Sequence, residues 1–461
     1  MFGARARRRL NQPATRSRAV RPRLEGLEDR VLLYAATGTR WPDSNLVTYS
    51  FMPDGTSIGG VPSNLQHTLN ASFPTATWQA QITKALAAWE EMADVNFTQV
   101  SDDGAPLGVG GDVQGDPRFG DIRIGGFPMA SNILAFTYLP PPANGGTSAG
   151  DVFFNTSQSW EVNGTTYDLM TVALHEIGHA LGLGESTVTT SVMYGSYQGV
   201  KEMLTTDDIA GIRSIYGARP FDPFDPSGSN QRAIGAVNLS SDLGSNGQLT
   251  LSGLDLAPPL TIGAGEIDWY KITVPATTTG TMVVKMQSAG LSLLSPSLAV
   301  YNAAGTILLG QQVSTAMGAT ATVTIGGVSP GQVYDIRCMG STTGAAGFGA
   351  YGLQVNFGSQ SQPPIPSPVI PVPAEGTTSG AVMDVRSSSS AAVAGPLVAV
   401  DTVAGNGGAL PLPPRREVLR DPVRPQGVLS WTPVSSRVRS TAPVQQFGPK
   451  SLLGRSGHDA E

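Results

Sequence analysis

The chain has 461 residues, 14% of them charged, with 56 Gly, 35 Pro, one Cys and a formal net charge of −6. This length is enough for two or three domains, and the Gly and Pro content predicts β-rich domains with long connections rather than helical bundles. The acidic balance argues against a nucleic-acid partner, no run approaches the length of a transmembrane span, and a single cysteine excludes an internal disulfide framework.

The chain opens with a basic stretch holding Arg5, Arg7, Arg8 and Arg9, followed by Leu24-Glu-Gly-Leu-Glu-Asp-Arg-Val-Leu-Leu33. The apolar run from Val31 to Ala36 is too short for the core of an ordinary signal peptide, so residues 1–37 read as a basic leader. Leu46, Thr48 and Ser50 then alternate with Val47, Tyr49 and Phe51, as in a strand. Ile82, Leu86, Trp89 and Met92 mark an amphipathic helix from Trp78 to Met92. Val95–Val100, Gly120–Ile124 and Gly150–Phe154 supply further short strands.

The densest chemistry follows, in His175-Glu-Ile-Gly-His179-Ala-Leu-Gly182-Leu-Gly-Glu185. Met170, Leu174, Ile177 and Leu181 recur at helical steps, with Asp168 as N-cap. Residues four apart share a helix face, so His175 and His179 can present imidazole nitrogens to one zinc ion. Glu176 then sits beside the metal, where a carboxylate can deprotonate an activated water and pass the proton to a leaving amine. Gly182 can take positive φ and end the helix, returning the chain so that Glu185 approaches as a third ligand.

Leu204–Gly217 reads as another helix, with Thr205 and Asp208 as a capping-box-like pair and Leu204 and Ile209 as a hydrophobic staple. Ile209, Ile212 and Ile215 give it a buried side. Residues 218–231 form a proline-stiffened linker. Residues 232–358 hold alternating runs such as Ile267–Val274, Thr281–Met286, Ser297–Tyr301, Ala321–Ile325, Val333–Arg337 and Tyr351–Val355, the pattern of a β-sandwich. Within it Cys338 reads as a small buried apolar residue, and Asp268 as a strand-edge aspartate rather than a calcium or carbohydrate contact. Residues 359–461, Pro-rich and then Ser/Ala- and Arg-rich, are expected to be disordered.

The run H-E-x-x-H-x-x-G-x-x-E resembles the signature of the matrixin family of metzincin metalloproteases, whose third ligand is His or, in some relatives, Asp. Ser191-Val-Met193-Tyr-Gly-Ser-Tyr197 resembles the family's Met-turn, which implies Met193 as the floor beneath the metal and Tyr197 as a wall of the substrate pocket. The order strand, helix, strands, active-site helix and closing helix matches the family over residues 38–217. The implied fold is α+β: a zincin-like domain with a mixed twisted sheet, followed by an all-β sandwich and a disordered tail.

Three departures stand out. Glu185 replaces the third ligand, and its negative charge should make bound water somewhat less acidic. Phe136 and Phe153 lie where vertebrate members carry histidines for a second zinc, so one catalytic zinc is expected. Cys338 lies too far downstream to serve as a thiol latency switch. Asp151 and Asn155, with carbonyls near Gly145 and Gly146, are candidates for calcium, which takes loop oxygens.

Two further resemblances concern the flanks. The L-E-x-L-E-D-R-x-L-L segment resembles a leader of exported bacterial proteins, implying secretion or a cell-surface location. Asp268-Trp-Tyr-Lys-Ile-Thr-Val-Pro275, Leu298–Gly305 and Tyr351–Val355 resemble the bacterial pre-peptidase C-terminal domain, a sandwich appended to secreted proteases. The implied function is a secreted zinc endopeptidase acting on protein or peptide, with Glu176 as general base and acid. The alternative is a catalytically weak surface adhesion or binding protein acting through the sandwich, with a cell-surface polymer as partner.

Overall fold

The computed structural model describes residues 34–225, 228–258, 266–276, 278, 280–342, 344–358, 360–367 and 398–402. The leader arginines and the arginines expected in the tail lie outside the described residues. The first unit runs through β1 (Tyr34–Ala36), β2 (Val47–Phe51), the short pair β3 (Ser57–Ile58) and β4 (Val61–Pro62), α1 (Leu65–Asn70), α2 (Thr75–Met92), β5 (Phe97–Gln99), β6 (Ile122–Phe127), β7 (Ile133–Tyr138), β8 (Val152–Asn155), α3 (Leu169–Ala180), β9 (Leu183–Ser186) and α4 (Thr206–Tyr216). Its sheet has the order β7-β8-β6-β2-β5, with four mutually parallel strands and β7 antiparallel beside β8.

The sheet and helices close over a main apolar core, as the helical and alternating patterns require, with a smaller cluster of Met52, Ile58 and Phe153 beside it. From α2, Trp78, Ile82, Leu86 and Trp89 are buried against Leu174, Ile177 and Leu181 of the α3 region. Each such side chain contributes about 1.5–3 kcal/mol relative to exposure. The two large indoles also find partners for their polar ends. Trp89 Nε1 donates to Leu174 O at 2.9 Å and Trp41 Nε1 to Ala180 O at 2.9 Å, so α3 is pinned along its length by rings from two other segments.

The second unit comprises β10 (Val237–Asn238), β11 (Gln248–Leu256), β12 (Ile267–Thr273), β13 (Gly280–Gln287), β14 (Pro296–Asn302), β15 (Leu308–Val313), β16 (Thr320–Val328), β17 (Val333–Gly340) and β18 (Gly349–Asn356). They form a five-stranded sheet, β10-β12-β17-β14-β15, and a four-stranded one, β11-β18-β13-β16. Alternation along β16 sends Ala321, Val323 and Ile325 inward, where they share a core with Val284, Val300 and the buried Cys338. The sandwich expected from the sequence is thus present.

Three sequence expectations need correction. The segment after Gly217 is packed rather than a free linker: Arg219, Asp222, Asp225 and Asn230 are all buried. Asp268 is fully buried, opposite Cys338 in the register of β12 with β17, and is not at a strand edge. The tail also holds structure. Gln362 Nε2 donates to Leu249 O at 2.8 Å and Ile365 N to Gln287 Oε1 at 2.9 Å, and β19 (Val398–Thr402) pairs antiparallel with β7.

The two units meet around two buried ionisable side chains, Arg219 and Glu90. Arg219 spends its fork on the Glu90, Val95 and Asn96 oxygens of the first unit and on Asp255 of the second, the last at 2.7 Å. Glu90 is 1% exposed and accepts from Phe97 N at 2.8 Å and from Leu293 N, in the sandwich, at 2.9 Å. Burial pushes its carboxyl up from the ordinary 4.5 to about 8, against the pull of Arg219 and of the two amides. The native state therefore keeps a proton that the unfolded chain releases, and this contribution to stability falls as pH rises from 4.5 toward 8. Glu90→Gln does not titrate and leaves one amide without an acceptor, at a cost of about 1–3 kcal/mol. Urea midpoints of the full chain should show the variant less stable at the acid end of that range, with the gap to wild type narrowing toward the alkaline end.

Candidate metal centre

Asp168 approaches α3 in extended conformation, and its Oδ2 accepts from Thr171 N at 2.9 Å, giving the N-cap expected from the sequence. Every residue of α3 is buried. Its pitch brings His175 Nε2 and His179 Nε2 to 3.0 Å from one another. Each ring's Nδ1 lies 2.8 Å from a carbonyl, Val192 O for His175 and Leu183 O for His179. Carbonyls only accept, so both Nδ1 atoms carry the proton and both Nε2 lone pairs point at the same place.

After Leu181 the chain reverses at Gly182, whose φ is +99° and whose added Cβ would lie 2.1 Å from Thr39 O. The reversal leads into β9, which pairs with β1 and carries Glu185. Its Oε1 is 3.4 Å from His175 Nε2 and 3.6 Å from His179 Nε2. Donors bound to zinc at about 2.0–2.1 Å in a tetrahedron are about 3.3 Å apart. The triangle of 3.0, 3.4 and 3.6 Å matches that spacing, so the residues fit zinc.

The electrostatics agree. Burial works against ionising Glu185, but the facing imidazoles, when protonated, outweigh it and hold the carboxyl down to about 2. Burial likewise lowers the proton affinity of His175, and Glu185 reverses the sign, leaving its pKa raised. The three groups together call for positive charge between them.

Glu176, one residue after His175, is fully buried, and its Oε2 accepts from Thr137 Oγ1 of β7 at 2.5 Å. Thr137 thus orients the carboxylate from across the sheet edge. Met193 is 1% exposed and packs so close to α3 that a Cβ on Gly178 would meet its sulfur at 2.3 Å. Asp208 secures this turn by accepting from Val192 N at 3.0 Å and Met193 N at 3.1 Å while also closing the capping box with Thr205. Tyr197 is buried, its ring edge-on to Tyr167, and its hydroxyl accepts from Asp168 N at 3.0 Å.

Sequence reasoning missed three contributors. Thr137 carries no local signal, because its contact crosses 39 positions. Gly195 makes room for Glu185: a Cβ there would lie 2.4 Å from Glu185 Oε2. A glycine two residues after the Met-turn methionine was the available clue. Asp208 was read only as a cap.

The calcium candidates are not brought together as ligands. Asp151 and Asn155 stand at opposite ends of β8, and Asn155 has its amide committed to protein: Oδ1 accepts from Met129 N and Ser157 N, Nδ2 donates to Ala130 O and Ile133 O. Asp151 Oδ1 accepts from Arg123 N at 2.9 Å. Asn155 therefore closes a loop and has no lone pair left for a cation. Phe136 and Phe153 stack with centroids 5.0 Å apart in an aromatic cluster with Phe127 and Tyr138.

Two convergent imidazoles and a buried Glu176 on one helix, a glycine reversal leading to Glu185 and a buried methionine packed on that helix define a metzincin-type domain. Residues 63–217 match the family model described as Matrixin, and the unit is a matrixin-like metzincin domain. The chain is 32% identical over 221 residues to karilysin of Tannerella forsythia, covering 45% of this chain and 40% of that protein. It is 35% identical over 157 residues to interstitial collagenase of Equus caballus, 33% of this chain and 32% of the relative. With matrilysin of Rattus norvegicus identity is 38% over 146 residues, 30% of this chain and 50% of the relative. The chain thus spans half or less of the length of these relatives.

Gly195→Ala should displace the Glu185 carboxylate and weaken zinc binding about 10–100-fold, the range seen when a ligand's support is lost. Competition with a chromophoric chelator would measure it, with Glu185→Ala as the reference for complete loss of the third ligand.

Proposed function

We propose that this protein is a zinc-dependent endopeptidase. The observation that carries the reading is the convergence of His175 Nε2, His179 Nε2 and an ionised Glu185 on one point, with the Glu176 carboxylate held beside it by Thr137. Zinc, when bound by these three residues, supplies Lewis acidity to water and to the scissile carbonyl. Glu176 takes the proton from the attacking water and delivers it to the leaving amine, with Thr137 fixing which oxygen does so. Met193 supports the histidines from below, and Tyr197 walls the pocket for the residue after the cut bond.

Substrate enters as an extended chain along β7. That strand is the antiparallel margin of the sheet, carries Thr137 on its path, and has its outer side paired with Val398–Thr402 in the register Val400↔Phe136. Main-chain hydrogen bonds of this kind hold peptides with little regard to sequence. On this reading residues 398–402 stand where a substrate strand would lie. Deleting residues 368–461 should therefore lower KM for an unstructured polypeptide several-fold with little change in kcat. An unchanged KM would count against the arrangement.

The leader resemblance supports export from a bacterial cell, and among the described residues no helix is long and apolar enough to cross a membrane. One observation favours the second reading, a binding role for the sandwich: Ile307, Leu308, Leu309 and Val313, on and beside β15, are exposed. Hydrolysis of an unfolded protein, with and without a zinc chelator and beside Glu176→Ala, separates the two. The variant should keep its zinc and lose turnover by several orders of magnitude, and chelation should silence the wild type. Equal cutting by wild type and variant would leave the chain as a binding protein on a peptidase scaffold.

A further inference from the structure

Residues 360–367 lie along the outer face of the four-stranded sheet in a regular array of contacts. In β18, Tyr351, Leu353 and Val355 point into the sandwich core, so Gly352, Gln354 and Asn356 stand on the opposite face. The register sets Gly352 beside Gln287 of β13, and Asn356 beside Gln248 of β11. The face therefore carries a row of side-chain amides, three of which, on Gln287, Gln354 and Asn356, are buried under the segment.

The segment itself is Gln360-Ser-Gln-Pro-Pro-Ile-Pro-Ser367. Its prolines fix φ near −65° and keep the residues before them out of the helical region, so the stretch is held extended with its carbonyls free. The amide row meets those carbonyls in order. Gln360 O accepts from Asn356 Nδ2 at 2.7 Å and from Gln248 Nε2 at 2.9 Å, Pro363 O from Gln354 Nε2 at 2.8 Å, and Ile365 O from Gln287 Nε2 at 2.8 Å. Gln287 Oε1 also takes the Ile365 N–H at 2.9 Å, so one side chain satisfies both polar groups of one residue. From Asn356 to Gly352 the strand rises about 13 Å, and from Gln360 to Ile365 a polyproline II chain covers about 15 Å, which keeps the two in step. Ile365, 5% exposed, fills the notch left by Gly352, where a Cβ would lie 2.0 Å from its Cδ1.

Most of these contacts ask only for an extended chain with unpaired carbonyls, which proline enforces, and for one aliphatic side chain opposite Gly352. The resident segment does not exhaust the site, because Gln354 Oε1 is buried without a hydrogen-bond partner. We propose that the outer face of β11, β18 and β13 is a binding site for proline-rich extended polypeptide of another molecule, and that the chain's own residues 360–367 occupy it in cis. A proline-rich ligand is already extended when free, so little conformational entropy is lost on docking. The tether holds the resident segment at an effective concentration on the order of millimolar, so an incoming chain binds by displacing it. The site is independent of the zinc centre and of the hydrolytic reading.

The test uses the full chain and a fluorescent peptide with the sequence of residues 360–367, followed by anisotropy. A full-length variant whose residues 360–367 are replaced by Gly and Ser at equal length frees the site and should bind the peptide saturably. Wild type should bind it at least about tenfold more weakly, because its own segment competes. In the freed variant Gln287→Ala and Gln354→Ala should each weaken binding about tenfold, and a peptide with alanine at every proline should lose a similar factor. Unsubstituted protein gives a second readout: excess peptide should speed hydrogen exchange at the Ile365 amide as the resident segment is displaced. That readout decides the matter if the freed variant does not fold. No saturable binding to a folded freed variant, equal binding of the alanine peptide, or unchanged exchange at Ile365 in wild type overturns the proposal and leaves 360–367 as a structural strap only.

Discussion

The geometry of the candidate metal centre depends on two proton positions. Because Val192 O and Leu183 O each take an Nδ1 proton, both Nε2 lone pairs of the helix α3 histidines face one another at 3.0 Å, an arrangement that is repulsive until a cation lies between them. Those two carbonyls belong to the Met-turn and to β9, the segments that also bring Met193 and Glu185. The backbone that sets the imidazole tautomers is therefore the same backbone that delivers Met193 and Glu185. Asp208 extends the coupling to α4, since it holds the amides of Val192 and Met193.

Much of this was legible in the sequence because its signals are local. Four-residue spacing put His175 and His179 on one face, Asp168 announced the start of α3, Gly182 its end, and Thr205 with Asp208 the start of α4. Strand alternation likewise marked the sandwich, and the apolar members of β16 point where the pattern says. What the sequence did not disclose is carried by contacts between distant positions. Thr137 meets Glu176 only because β7 lies beside α3, and Leu293 reaches Glu90 across 203 positions.

The same limit explains the corrected readings. A Pro- and Asp-rich stretch has the composition of a solvated linker, but composition does not show that Arg219 finds three oxygens on one unit and a carboxylate on the other. Asp268 sits in an alternating run whose neighbours Ile267 and Trp269 gave no sign that the polar position would be turned inward. Asn155 looked like a loop donor for a cation, yet its four hydrogen bonds show an amide already used to its full capacity.

Arg219 lies two residues beyond the end of the matched family segment, yet four of its hydrogen bonds complete carbonyl and amide groups of Glu90, Val95 and Asn96 inside that segment. The boundary drawn by kinship and the boundary drawn by hydrogen-bond satisfaction therefore do not coincide. A fragment cut at Gly217 would keep His175, His179 and Glu185 but surrender the guanidinium that staples the end of α2 to the residues leading into β5. The smallest piece of this chain that is physically whole extends into what looks, by composition, like its neighbour's territory.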